Sequence, residues 1–332
     1  MLQIKLLKKF YNKITIYKII ALAIRFFSMK KCYFLFFLLF IFFLNFSCKK
    51  TITPAYLLVS VEDLNVNVSN FNQEHETDYD NKELEVIKQQ NFRDVYVSLN
   101  GKGLGYWQLP CKIPLIPDYT RENFIRITPC VRLPHLTLST VPYSFLLPIE
   151  QRVALEEEGE YRLSNLDFVY AKSVAFPVLE TFAQTTIFKS RDTVNMVATM
   201  EIYTMGDSTM GRIALEDSLD FFNVVSPYFE LYGQGVRQYW EMYYKCDNGE
   251  MTTYLEYRNS FSITPQQDMI VLPATKDWKK IYIDITDVVS WACGSANKLS
   301  LRLGIRGLKN SNGSNAYFYF ENVKVVTMAA PY

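Results

Sequence analysis

The 332-residue chain holds two histidines, His75 and His135. They stand in separate stretches with no serine, cysteine or acid at the spacing of a nucleophile–base pair. "GDSTMG" (206–211) sets its serine outside the G-x-S-x-G frame of a nucleophile elbow. The thirteen glycines are scattered and form no phosphate-cradling loop. "EHETDYDN" (74–81) gathers oxygen ligands, with Asp78 and Asp80 two residues apart, but reads as a solvated acidic loop rather than a calcium loop. No enzyme activity, metal or other cofactor is therefore expected, and recognition is the chemistry left to consider.

The richest stretch for recognition is "RQYWEMYYK" (237–245). In a strand, alternation sends Trp240, Met242 and Tyr244 to one face and Arg237, Tyr239, Glu241 and Tyr243 to the other. Tyr239, Glu241 and Tyr243 are expected to share a polar sheet face with Tyr282, Arg302 and Arg306. Sugar rings stack on aromatic faces and take hydrogen bonds from guanidinium and carboxylate groups, so these six form the candidate ligand site, with a glycan as partner. The plainer reading is an ordinary exposed sheet face, which normally carries Tyr and Arg.

The elements that would position such a face are strands. "YLLVSVEDLNVNV" (56–68), "NFIRITPCVRL" (123–133) and "YSFLLPIEQRVAL" (143–155) are apolar runs bounded by polar or proline-containing loops. "DVYVSLNGKGLGYWQLP" (94–110) carries Asn100-Gly101 between two such runs, the sign of a tight hairpin. The charged stretch 70–91 reads as a long loop with a short helix at its end. Farther on, "WKKIYIDIT" (278–286) and "KLSLRLGIRGL" (298–308) alternate cleanly, with Ile281, Ile283, Ile285 and Leu299, Leu301, Leu303, Ile305 on the inner faces. "AYFYFENVKVV" (316–326) closes the series. The fold class expected is all-β: an N-terminal lipoprotein signal, a small β-sandwich, then a larger antiparallel jelly-roll β-sandwich. The boundaries drawn are an upstream extension and signal over 1–47, a tether over 48–54, the small sandwich over 55–160, a linker over 161–181 and the jelly roll over 182–328.

Charge divides the chain unevenly. Eight of the 35 Lys and Arg residues precede Cys48 and none of the 34 Asp and Glu do, so the remainder holds 27 basic against 34 acidic groups, about −7. A net-acidic body argues against nucleic acid as a partner. Lys30 and Lys31 precede a charge-free run from Cys32 to Phe46, shorter than the roughly 18–20 residues that cross a bilayer. Read from Met29, this has the proportions of an export signal. Cys48 after small Ser47 resembles the lipobox cysteine of bacterial lipoproteins, which implies lipidation of Cys48 and a membrane anchor there. An uncleaved N-terminal anchor is the other reading. Residues 1–28, basic and amphipathic, read as a membrane-surface helix or as sequence upstream of a start at Met29.

Four cysteines remain beyond Cys48: Cys111 and Cys130 in the first half, Cys246 and Cys293 in the second. Two readings stay open, one bridge in each half or four buried thiols.

"AYLLVSVEDLNVNV", "DVYVSLNGKGLGYWQLP", "VPYSFLLP", "WEMYYKCDNG", "VLPATKDWKKIYIDIT" and "YFYFENVKV", in that order, resemble a family of two-domain outer-membrane lipoproteins of Bacteroidota-type bacteria. Within the second half, "DWKKIYIDIT" with the final "FENVKV" is similar to galactose-binding-like, carbohydrate-binding jelly rolls. The resemblance implies an outer-membrane lipoprotein on the periplasmic or cell-surface side. It would be a non-catalytic binding module for glycan or, alternatively, a structural subunit of an envelope protein assembly.

Overall fold

The computed structural model describes residues 53–134, 139–191, 198–233, 235–258, 264–310 and 314–328. The expected signal, the lipidation candidate Cys48 and His135 lie outside the described residues. The first half opens with β1 (Ala55–Val59) and β2 (Leu64–Val66), then two short helices, α1 (Phe71–His75) and α2 (Asn81–Lys88). Asp80 starts the second helix: its carboxylate accepts from the N–H groups of Lys82 (2.7 Å) and Glu83 (2.9 Å), while Glu83 accepts from the Asp80 N–H (2.9 Å). This reciprocal cap satisfies donors that a helix start leaves open. The acidic stretch expected as loop and short helix is thus helix, turn and helix.

Strands follow without a long break: β3 (Asp94–Leu99), β4 (Lys102–Gln108), β5 (Cys111–Leu115), β6 (Asn123–Arg132), β7 (Thr140–Pro142), β8 (Ile149–Val153), β9 (Glu160–Arg162) and β10 (Leu166–Phe168). Asn100 and Gly101 both take positive φ (53° and 78°), closing β3 on β4 as the dipeptide predicted. One sheet orders β4-β3-β6-β7 with β8 also on β6; the other orders β5-β1-β9. Val95, Val97, Ile125 and Ile127 of the first face Leu57, Ile113 and Leu115 of the second in one core. Two pairings, β1–β9 and β2–β10, are parallel and return residues 160–168 to the opening strands.

The second half is the larger antiparallel sandwich: β11 (Val174–Glu180), β12 (Lys189–Ser190), β13 (Glu201–Met205), β14 (Ser208–Leu215), β15 (Phe221–Val225), β16 (Phe229–Tyr232), β17 (Gln238–Cys246), β18 (Gly249–Tyr257), β19 (Gln266–Leu272), β20 (Thr275–Asp284), α3 (Thr286–Cys293), β21 (Lys298–Lys309) and β22 (Ala316–Met328). Its first sheet orders β13-β14-β22-β17-β20, with β11 also on β22. Its second orders β12-β15-β21-β18-β19, with β16 also on β21. Trp240, Met242, Ile281, Ile283, Leu301, Leu303, Phe318 and Phe320 fill the space between them.

Residues 161–181, expected as a linker, are built into both cores. Leu163, Leu166, Phe168 and Tyr170 are buried in the first. β11 then pairs with β22, and a register shift between Ala175 and Val178 turns Val174 and Phe176 into the first core and Val178 into the second. Buried Glu180 fixes the exit by accepting from the N–H groups of Phe182 (2.7 Å) and Ile187 (2.6 Å) and the Thr186 hydroxyl (3.1 Å). Apolar alternation through this segment is the physical reason: it has faces to bury, which a linker lacks.

Candidate binding face

Alternation on β17 runs as the sequence predicts. Trp240, Met242 and Tyr244 enter the sandwich core. Tyr239, Glu241 and Tyr243 point outward, in register with Lys280 and Tyr282 of β20 and Lys324 and Val326 of β22. That outward face is not open, which corrects the expectation of an exposed polar surface. The first half of the chain packs on it, leaving Tyr239, Glu241 and Lys324 at 0% exposure and Tyr282 at 4%. Phe145 meets the Tyr239 ring edge-on at 5.3 Å, and Tyr143 meets Tyr282 likewise at 6.0 Å.

A buried charge cluster occupies this seam. Glu241 accepts from the Tyr143 hydroxyl (2.5 Å) and lies 3.3 Å from Lys280 Nζ and 3.6 Å from Lys324 Nζ. Lys324 donates to the carbonyls of Val86 (2.6 Å) and Ile87 (3.1 Å), the end of α2, where carbonyls lack helical partners and the dipole favours a cation. Lys280 sits near the Glu241 carboxylate but off its hydrogen-bonding direction, over the Tyr243 (4.8 Å) and Tyr282 (5.5 Å) rings. The Gln90 amide, oriented as its neighbours require, donates to Glu241 (3.2 Å) and accepts from Lys324 (3.1 Å). The Tyr282 hydroxyl accepts from the Asn91 N–H (3.1 Å). Burial, then repulsion from Lys280, pushes the Lys324 amine down to about 7. Burial lowers Lys280 too, and raises the Tyr143 and Tyr282 hydroxyls well above their ordinary value, with Glu241 adding to both.

Arg302 and Arg306 lie on β21, in the other sheet. The six candidate residues therefore divide, four at the seam and two on the opposite side of the sandwich. Sequence alternation fixes which way a side chain points but not which sheet its strand joins.

Arg302 and Arg306 belong to a cluster on the outer face of the second sheet. Its centre is Glu256 of β18, 1% exposed. One carboxylate oxygen accepts from Arg302 Nε (3.0 Å) and Nη2 (2.6 Å) and from the Tyr228 hydroxyl (2.8 Å). The other accepts from Arg191 Nε (2.9 Å) and Gln266 (3.0 Å). Burial pulls its pKa upward, but the hydrogen bonds together hold Glu256 below the ordinary carboxylate value. The Tyr228 ring carries two guanidiniums, Arg258 at 3.9 Å and Arg302 at 4.8 Å from its centroid. Beside it the Tyr254 ring lies over Gly304, where a Cβ would stand 2.1 Å from the ring, and its hydroxyl donates to Asn223 (2.6 Å). Arg306 reaches Asp268 (2.5 Å) at the margin.

Arg191, Tyr228, Tyr254, Glu256 and Arg258 were not singled out from the sequence. "TYLEYR" (253–258) does carry a signal, since Tyr254, Glu256 and Arg258 alternate with Leu255 and Tyr257 as the outward residues of 237–245 do. Arg191 and Tyr228 had none, for they come from segments distant in sequence.

The four cysteines are free thiols, which resolves the two readings against one bridge per half. The Sγ–H groups of Cys246 and Cys293 donate to the carbonyls of Gly249 (3.4 Å) and Ala296 (2.8 Å) at the ends of β17 and α3. Burial pushes Cys111 up to about 11 and Cys130 and Cys246 up to about 12, so these thiols stay protonated and unreactive at neutral pH. His75 stacks on Phe71 (3.8 Å), with its ring nitrogens facing the carbonyls of Phe71 (3.0 Å) and Ala171 (3.1 Å). Among the described residues no three His, Cys, Asp or Glu side chains group as a metal site.

Fold and face define an all-β protein of two packed sandwiches, with the first sheet's outer face covered inside the chain around Tyr239, Glu241 and Tyr282 and the second's bearing exposed Arg258, Gln266 and Asp268. No family model matches the sequence. No curated protein matches it. Solved structures with a similar arrangement include the CBM22-1 xylan-binding domain from Paenibacillus barcinonensis, 11% identical over 48% of this chain and 99% of that one, at a TM-score of 0.34. The CBM22-1–GH10 modules of a Clostridium thermocellum endo-1,4-beta-D-xylanase are 13% identical over 47% of this chain and 29% of that one, at 0.34. A carbohydrate-binding module of the β-sandwich superfamily is 9% identical over 71% and 85%, at 0.30. Likeness at this distance assigns no residue or ligand to the chain.

Proposed function

We propose that the chain is a non-catalytic binding protein of the cell envelope. It is tethered to the outer membrane through a lipid on Cys48 and holds a glycan on the outer face of its second sheet. One observation carries the reading: the two outer faces of the sandwich have opposite fates. The first is covered by the chain's own first half around Tyr239, Glu241 and Tyr282, whereas the second presents Arg258, Gln266 and Asp268 to solvent around a fixed Tyr228–Glu256–Arg302 centre. Arg and carboxylate groups held rigid at a half-open surface suit hydroxyl-rich ligands, because their hydrogen bonds are ordered before binding. The tether is supported by the apolar run after Lys31 and by Cys48.

The test is binding of the full chain, purified in detergent, to an array of neutral and acidic polysaccharides. Retention of at least one, with loss on Tyr228→Ala or Arg302→Ala, is expected. Retention of none, or retention indifferent to both substitutions, overturns the reading. For the tether, Cys48→Ala should abolish palmitate labelling; labelling that persists sinks it.

A second reading, an assembly subunit, is favoured by one observation. β13 is an edge strand whose Glu201, Thr204 and Met205 are exposed, Met205 at 57%. An open edge invites strand addition by a partner. Proline at Tyr203 would block such pairing and leave the second sheet's face intact, so partner capture and glycan retention separate the two.

A further inference from the structure

The cluster on the second sheet is unbalanced in charge. Arg191, Arg302 and Arg258 converge on Tyr228 and Glu256, three guanidiniums around one carboxylate. The portion of the chain beyond Cys48 is net acidic, so this local excess runs against the background. Arg191 and Arg302 use some of their N–H groups on Glu256. Arg258 does not share in that pairing. It is exposed, and its guanidinium rests on the Tyr228 ring with no ion pair among the described residues. Stacking fixes the plane of a guanidinium while leaving its edge free to donate, the geometry in which arginine takes a carboxylate or sulfate through two parallel bonds. Two guanidiniums on Tyr228 also compete with a sugar ring for its faces. The cluster therefore offers charge more readily than a bare aromatic platform.

We propose that the glycan held on this face is an acidic one, bearing carboxylate or sulfate groups, and that Arg258 is its principal anchor. This rests on the reading of the second sheet's outer face as a glycan site. A ligand anion at Arg258 would bring one negative charge to a cluster of three guanidiniums and Glu256, relieving the excess without breaking the Glu256 pairs.

The experiment compares polygalacturonate and chondroitin sulfate with neutral xylan and mannan, using the full chain in detergent. The acidic polymers should be retained in preference to the neutral ones. Arg258→Ala should weaken that retention about ten- to hundredfold, as expected for losing a charge-assisted pair. Arg258→Lys should fall between, keeping the charge but not the fork. Arg126→Ala, an exposed arginine of the first half paired with Glu150, serves as the control and should change nothing. Equal loss with Arg126→Ala would reveal general attraction and overturn the proposal. Retention of neutral polymers alone, with Arg258→Ala indifferent but Tyr228→Ala damaging, would also overturn it while leaving the glycan reading standing. Retention of no polymer would remove both.

Discussion

Two carboxylates on the same sandwich, Glu241 and Glu256, each sit between two cations, yet in opposite circumstances. Glu241 and its partners Lys280 and Lys324 have fully buried side chains. Glu256 is buried too, but its partners Arg191 and Arg302 keep 37% and 22% of their side chains exposed. The choice of cation fits the setting. A lysine can shed its proton when desolvation is too costly, and Lys324 is pushed in that direction; arginine stays charged and suits a boundary where water still reaches it. The seam is thus a joint within the protein, and the second sheet's face is a surface with charge left over.

Breaking the joint should have the largest effect. Glu241→Ala would leave two buried amines without their counter-ion and the Tyr143 hydroxyl without its acceptor, at a cost of about 3–5 kcal/mol. Urea denaturation should show it, and should also show both halves unfolding in one transition, because the charge belongs to both. Tyr239→Ala is expected to cost about 3–5 kcal/mol, as much as Trp240→Ala, because both side chains are fully buried on opposite faces of β17. A cost below about 1 kcal/mol for Tyr239→Ala would mean the first half does not cover that face in solution.

The joint should also respond to pH. Lys324 is depressed in the folded state relative to its ordinary value, so the unfolded chain binds more protons between about pH 7 and the usual lysine range. Stability should therefore rise with pH from about 7 toward 10, at up to about 1.4 kcal/mol per unit. Tyr143 and Tyr282 are shifted the other way and stay protonated when folded, so above about pH 10 stability should fall again. Lys324→Met should flatten the rise, leaving the part due to Lys280. A wild-type curve flat between pH 7 and 10 would refute the buried pairing.

The smallest effect belongs to the open face. Arg306 and Asp268 keep 34% and 52% of their side chains in water, so Arg306→Ala should cost only about 0.2–1 kcal/mol after screening. If it instead matched Glu241→Ala, the contrast between the two faces would collapse.

Strand positions and inner faces were legible in the residue order. The Asn100-Gly101 hairpin and the core placement of Trp240, Met242, Ile283, Leu301 and Leu303 follow from turn chemistry and a period of two, which are local properties. The capping pair Asp80 and Glu83 was equally local, and was present in the sequence three residues apart. The proposed face was half legible: Arg302 and Arg306 lie on that side of the second sheet, and Tyr254, Glu256 and Arg258 obey the same alternation. The outward direction of Tyr239, Glu241 and Tyr282 was also fixed by the sequence, but not what lies outward. Only the tertiary structure decided that the first half covers one sheet around Tyr239, Glu241 and Tyr282 and, among the described residues, packs on no part of the Glu256 cluster. Nor could alternation place β17 and β21 in different sheets, or bring Arg191 and Tyr228 to Glu256 across dozens of residues. Pleat and turn are set by neighbours in the chain; which face is buried is set by contacts between segments far apart in it, through free energies that no local pattern records.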